Sequence, residues 1–157
     1  MISDEDFRFL LYESRNSYRI LEIGTGTGKS TAALATNQAT VYTIDRNNIF
    51  THFGLNNNVH RFICESQIYW QEYNHKDFDF VFVDASIGSG DCQEILKRTK
   101  DTFSIVFHDY IPNEKNKNKN KGEFNLKHLF SVALENYDIK TRIGGTHCIL
   151  AELRKDK

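Results

Sequence analysis

Three groups of side chains in this sequence have the types and the spacing for chemistry. The first is Glu22-Ile-Gly-Thr-Gly-Thr-Gly28, where glycines alternate at 24, 26 and 28 between an apolar run, Ile20–Ile23, and an alanine-rich one, Thr31–Thr36. Glycines at this spacing adopt positive φ and approach a ligand where any Cβ would collide. A helix opening behind them offers unpaired N–H groups to polar or anionic atoms. The second is a lone acid, Asp45, about 20 residues past the glycines, the separation at which a carboxylate accepts hydrogen bonds from ribose hydroxyls. The third is Asp84 with the His108-Asp109 pair. Imidazoles and carboxylates give and take protons, and carboxylates hold hard cations.

Counting separates the glycine loop from two common phosphate cradles. A P-loop, G-x-x-x-x-G-K-[ST], would need glycine where Ile23 stands, although Gly28-Lys29-Ser30 supplies its end. A dinucleotide fingerprint, G-x-G-x-x-G, would need its third glycine at Lys29. What remains is E-x-G-x-G-x-G. A plain glycine-rich turn stays open as the alternative. So does an N-cap role for Asp45, with Asn47-Asn48-Ile49-Phe50 opening a short helix, and a space-filling role for His108.

These residues need a scaffold to bring them together, and the hydrophobic pattern supplies one. Ser3 followed by Asp6 fits a helix capping box, and Phe7, Leu10 and Leu11 recur at helical spacing. Strands are predicted at Ile20–Ile23, Ala39–Ile44, Val59–Ile63, Phe78–Val83 and Phe103–Phe107. Phe78–Val83 is apolar almost throughout, as a strand buried on both faces must be. Helices are predicted over Thr31–Thr36, Gln67–Asn74 and Asp91–Lys100, the last with Ile95, Leu96 and Thr99 inward; Ile68, Tyr69 and Trp70 pack on the sheet or lean over a bound base. Leu126, Leu129, Phe130, Ala133, Leu134 and Tyr137 form one more amphipathic stripe, and Ile139–Ile143 and Thr146–Leu153 flank Gly144-Gly145 as a β-hairpin. Asp45, Asp84 and His108-Asp109 each follow a strand, so they gather at the edge where open α/β sheets bind ligands.

The remaining composition bounds the function. The 157 residues fit one domain, 1–157, with one core. Net charge −1 argues against a dedicated nucleic-acid binder. No run of about 18 apolar residues spans a membrane, and the acidic start, Met1-Ile-Ser-Asp-Glu-Asp6, is no targeting peptide. Cys64, Cys92 and Cys148 stand far apart and read as free thiols in a reducing, cytoplasmic setting. Residues 112–122, Pro-Asn-Glu-Lys-Asn-Lys-Asn-Lys-Asn-Lys-Gly, hold nothing apolar and read as a flexible basic loop. That loop is either a solvated insertion or a lid over an anionic substrate.

The glycine pattern with its preceding acid resembles motif I of the class I S-adenosylmethionine-dependent methyltransferases, and the order of elements resembles that family over nearly the whole chain. The strand end Phe107-His108-Asp109-Tyr110 is similar to small-molecule and sugar O-methyltransferases. The resemblance implies a doubly wound α/β fold with a seven-stranded, mostly parallel sheet and a C-terminal antiparallel hairpin. It implies S-adenosylmethionine over Glu22, Gly24, Thr25, Gly26 and Gly28, with ribose at Asp45. Glu65 and Ser66 of Cys64-Glu-Ser66, similar to a Gly-Asp-Ser in the family, would flank the adenine, and Asp84 the methionine end. Asp84, His108 and Asp109 become the catalytic candidates for a small-molecule acceptor, with Mg2+ as a ligand of Asp84 and Asp109. The pattern departs from metal-dependent relatives at Tyr110, His108 and Ile87, where a third ligand would stand. A homodimer is the assembly in view. The alternative is a binding module with a degenerate acceptor site.

Overall fold

Strand β4 (Phe78–Val83) lies at the middle of the molecule, and of its six residues only Asp79 is not buried. The computed structural model describes residues 1–51 and 57–156. On one side β4 pairs in parallel with β1 (Arg19–Ile23), which continues to β2 (Thr40–Asp45) and β3 (Val59–Ile63). On the other it pairs in parallel with β5 (Thr99–His108). An antiparallel pair, β6 (Tyr137–Gly144) and β7 (Cys148–Lys155), extends that side, β7 lying against β5. The seven-stranded order is β3-β2-β1-β4-β5-β7-β6, the doubly wound sheet with a closing hairpin that the family resemblance implies.

Alternation along the strands divides the core between two faces. Ile20, Val41, Phe80, Phe82 and Val106 pack under α1 (Asp4–Glu13) and α2 (Lys29–Ala35). Leu21, Ile23, Val81, Val83 and Phe107 pack under α3 (Ser66–Glu72), α4 (Ser89–Arg98) and α5 (Lys121–Ala133). Side chains that alternate across a strand need cover on both faces when both are apolar. Ser3 caps α1 with Asp6 in a complete capping box.

Several elements differ from the sequence pattern at their ends. Thr99, expected on the inner face of α4, begins β5, and buried Arg98 takes the inward place by donating to the Trp70 carbonyl at 3.0 Å. Leu134, expected in the stripe of α5, is 62% exposed, because that helix ends at Ala133 and Tyr137 opens β6. Residues 46–51 form no helix, so Asp45 caps none there. Tyr69 is fully buried and Trp70 packs against the core, so neither leans over the crevice as a free platform. The basic loop also ends in order: Lys121 and Gly122 are the first turn of α5, and Asn120 is fully buried. No helix among the described residues is long and apolar enough to cross a membrane.

Candidate active site

Strand order reverses between β1 and β4, so the loops after them part and leave a crevice at their C-terminal ends. Asp84 N donates to Ile23 O (2.8 Å), and the two loops touch at Gly24. That glycine has φ 101°, and a Cβ on it would lie 2.5 Å from the Asp84 carbonyl oxygen. The crevice holds a cleft of about 420 Å³ whose walls include Gly24, Asp45, Glu65, Ser66, Asp84 and Lys121.

The glycine side of the cleft is shaped by a cage of hydroxyls. Glu22 is fully buried, and its carboxyl accepts from Ser30, from Thr31 (2.5 Å) and from Thr43 (2.7 Å). Burial pushes its pKa up to about 7 against the pull of those three donors. Thr25 is also turned inward, its hydroxyl 2.5 Å from that of Thr43. Glu22, expected at the cofactor, therefore stands behind the loop and fixes the start of α2 to β1 and β2. Asp45 accepts from Gly26 N (2.8 Å) and Asn47 N (2.9 Å), which holds the loop in its turn. Nothing lies within 4 Å of the place a Gly26 Cβ would take. Farther along, the Ser66 hydroxyl and the Trp70 indole both donate to Asp91 (2.8 Å each). Glu65 sits at the rim, 3.9 Å from Arg46.

Across the crevice the groups are charged. His108 is 4% exposed and lies between carboxylates. Its Nε2 is 3.1 Å from Asp6 Oδ2, and its Nδ1 is 3.1 Å from Asp84 Oδ1 and 3.2 Å from Asp109 Oδ1. Burial alone would lower the imidazole pKa, but Asp84, Asp109 and Asp6 together raise it, and both ring nitrogens lie within hydrogen-bond distance of a carboxylate. Asp6 is buried; desolvation works to raise its pKa, and the backbone N–H groups of Thr146, His147 and Ser3 outweigh it and hold the carboxyl well below the usual range. For Asp84, burial is likewise outweighed by His108 and Lys121, and its pKa is lowered. Lys121 Nζ completes the chain at 2.9 Å from Asp84 Oδ1 and 3.1 Å from Asp109 Oδ2. The three carboxylates outweigh the cationic partners, so the cluster is net negative, and Asp84 and Lys121 are its members on the wall of the cleft.

The structure thus brings Asp84, His108 and Asp109 together, as their strand ends imply. It adds Asp6, which the sequence shows only as a capping residue, and Lys121, which is hidden in a Lys/Asn run. The arrangement bears on the metal implied for Asp84 and Asp109. Mg2+ takes oxygen donors in a near-octahedral shell at about 2.1 Å. Here the two carboxylates, with the His108 imidazole beside them, converge instead on the Lys121 ammonium, and no third carboxylate joins Asp84 and Asp109 at that point among the described residues. Asp6, His108 and Cys148 also cluster, but Cys148 donates its thiol proton to Asp6 (3.4 Å) and burial raises its pKa. Neither donor set fits a divalent ion as it stands.

No family model matches the chain, and neither does any curated protein. Solved structures do match. An O-methyltransferase from Bacillus cereus in complex with SAH is 20% identical, with a TM-score of 0.75 over 99% of this chain and 83% of that one. The O-methyltransferase TomG from Streptomyces achromogenes, involved in tomaymycin synthesis and solved with SAM, is 18% identical, with a TM-score of 0.72 over 99% and 82%. SAH-bound PaMTH1, a methyltransferase from Podospora anserina, is 18% identical, with a TM-score of 0.74 over 100% and 80%. At these identities the likeness is one of fold: the chain has the Rossmann-like architecture of these methyltransferases.

Proposed function

We propose that this chain transfers a methyl group from S-adenosylmethionine to a hydroxyl of a small acceptor. The observation that carries the proposal is the meeting, at one sheet edge, of a glycine loop open above Gly26 and a charged cluster spaced at 2.9–3.2 Å. The fold shared with O-methyltransferase structures supports it. S-adenosylmethionine, when bound, supplies an electrophilic methyl on a sulfonium.

The cofactor site in this proposal is the 420 Å³ cleft. Gly24 lines that cleft and Gly26 lines the neighbouring hollow beside Asp84, while the Phe50 ring stands against Gly28; the ligand meets bare backbone at Gly24 and Gly26, and Asp45 at the tip of β2 receives ribose hydroxyls. Glu65 and Ser66 flank the base, with the Ser66 backbone rather than its committed hydroxyl facing it. Asp84 and the net negative charge around it suit the cationic methionine end. Thr25 and Glu22 contribute from behind by holding the loop. A hollow of about 220 Å³ lined by Ser86, Ile87, Lys117, Lys121, Phe124, Asn125 and His128 adjoins the cleft and suits a small hydroxylated or sugar-like acceptor. Asn125 fixes its wall by accepting from Ile87 N (3.0 Å) and donating to Ala85 O (2.7 Å).

Methyl transfer asks mainly for alignment at about 3–3.5 Å, which a rigid strand-end site supplies. The acceptor hydroxyl must also lose a proton. His108 has both ring nitrogens engaged by carboxylates and acts by holding Asp84 and Asp109 in place. Asp109, 40% exposed and held at φ 57° past the end of β5, is the carboxylate open to water and is the proton acceptor in this proposal. A cytoplasmic setting and a homodimer belong to the same proposal, the latter open to light scattering.

Calorimetry provides the test. Wild type should bind S-adenosylmethionine, and Gly26→Val should weaken binding at least a hundredfold with the fold retained. Labelled cofactor offered with a panel of hydroxylated acceptors should yield S-adenosylhomocysteine. Binding of NAD or ATP with indifference to S-adenosylmethionine, or unchanged affinity in Gly26→Val, would overturn the proposal.

A further inference from the structure

We infer that Lys121 is a tethered cation standing where a divalent metal would otherwise bridge Asp84 and Asp109, so that an ammonium holds the acceptor oxygen. This rests on the methyl-transfer proposal for what the cation does, but not for where it sits. The Nζ-to-carboxylate distances, 2.9 and 3.1 Å, are those of an ammonium–carboxylate pair, about 0.8–1.0 Å longer than Mg2+–oxygen contacts. An ammonium has three donors. Two go to Asp84 and Asp109, and the third has no protein acceptor among the described residues. Lys121 is also the charged residue among those shared by the cofactor cleft and the adjoining hollow.

The lysine is held there by its neighbours. Gly122 lies against the end of β5 so closely that a Cβ would stand 2.5 Å from His108 O and 3.0 Å from Tyr110 N. Its N–H donates to Asp109 O (3.0 Å), which ties the first turn of α5 to the aspartate that Lys121 pairs. On the other side, buried Asn120 accepts from Ile111 N (2.9 Å) and donates to Ile111 O and Glu114 O (2.8 Å each). A surface lysine that met two carboxylates by chance would lack both clamps.

In the transfer, a lone pair of the acceptor oxygen forms the new C–O bond as the S–CH3 bond breaks. The breaking bond's electrons stay on sulfur and cancel the sulfonium charge. The hydroxyl proton passes to Asp109 and on to water, while Lys121 keeps its three protons and steadies the oxygen's developing charge.

Titration of the full chain with Mn2+, followed by electron paramagnetic resonance, tests the inference without an acceptor. Wild type should bind Mn2+ no more tightly than millimolar. Lys121→Gln releases both carboxylates and should bind Mn2+ at least tenfold more tightly, whereas Lys121→Arg should stay as indifferent as wild type. If Lys121→Gln is unstable alone, Mn2+ should raise its melting temperature and leave that of wild type unmoved. Micromolar Mn2+ binding by wild type would overturn the inference. So would a Lys121→Gln protein that gains neither affinity nor thermal protection. S-adenosylmethionine calorimetry on the same samples reads the methyl-transfer proposal separately, because a wild type that ignores the cofactor sinks that proposal whatever Mn2+ does.

Discussion

The two sides of the crevice are built from opposite materials. On the β1–β2 side one carboxyl, Glu22, is caged by three hydroxyls, and the glycine loop takes its shape from that cage. On the β4–β5 side carboxylates and cations alternate from Asp6 through His108, Asp84 and Lys121 to Asp109. The first side keeps a backbone in a fixed shape with little charge. The second keeps charges at fixed points, by opposite charges at close range and, at Asp6, by backbone N–H groups. Binding and chemistry thus occupy one edge but depend on different interactions, and each side should fail in its own way.

The sharpest break is expected on the charged side. Asp6→Ala strips partners from His108 and from the Thr146 and His147 N–H groups, and leaves His108 Nε2 without its carboxylate under cover. Urea unfolding should show a loss of about 3–5 kcal/mol, the usual cost of removing one member of a buried ion pair. A loss below about 1 kcal/mol, the level of an exposed pair, would show that the charges are not a structural unit.

The caged side should instead answer to pH. The Glu22 pKa is raised in the folded chain from the ordinary 4.5 to about 7. Between those values the folded chain keeps a proton that the unfolded chain has lost, so stability falls as pH rises through the window. The loss should reach about 3 kcal/mol above it, at 1.36 kcal/mol per pKa unit. Glu22→Gln should flatten that decline in denaturant melts from pH 4.5 to 8; an equally steep decline would remove Glu22 as its source. On the charged side the raised His108 pKa adds a slope of the same sign, costing stability as pH rises through the folded value, and the lowered Asp84 pKa one of opposite sign, costing it as pH falls.

The smallest effect concerns the seam between loop and ligand. Asp45→Ala removes the acceptor for Gly26 N and the proposed partner of the ribose. S-adenosylmethionine affinity should drop by about 1.5–3 kcal/mol, the range for a charged hydrogen bond, with only a small change in melting temperature. Wild-type affinity in calorimetry would assign Asp45 to the loop alone.

The caged side was the more legible in the sequence. Its glycines, its strand and Asp45 lie within one stretch of chain, and parallel strands deliver every strand-end acid to the same edge, so the convergence of Asp84 with Asp109 could be foreseen. The burial of Glu22 among three hydroxyls was not legible, because alternation does not show which face Ser30, Thr31 and Thr43 crowd. Asp6 acts on a residue 102 positions away, and its capping pattern accounted for it before any contact could. Lys121 is one of four alternating lysines, and only the glycine after it, pressed against β5, sets it apart. Long-range charge pairing leaves no period in a sequence.

The knot at Asn120 has a consequence for how this scaffold can change. The chain leaves at Ile111 and Glu114 and is gathered back to both by one amide, and Asn120 N also donates to Asn116 O (2.9 Å). Residues 115–119 therefore form a closed excursion whose two ends are stitched together before α5 begins. Length and composition in that excursion are decoupled from the position of Lys121. It is a natural cassette, where segments of different size or charge can be exchanged over the acceptor hollow while the machinery beneath stays in register.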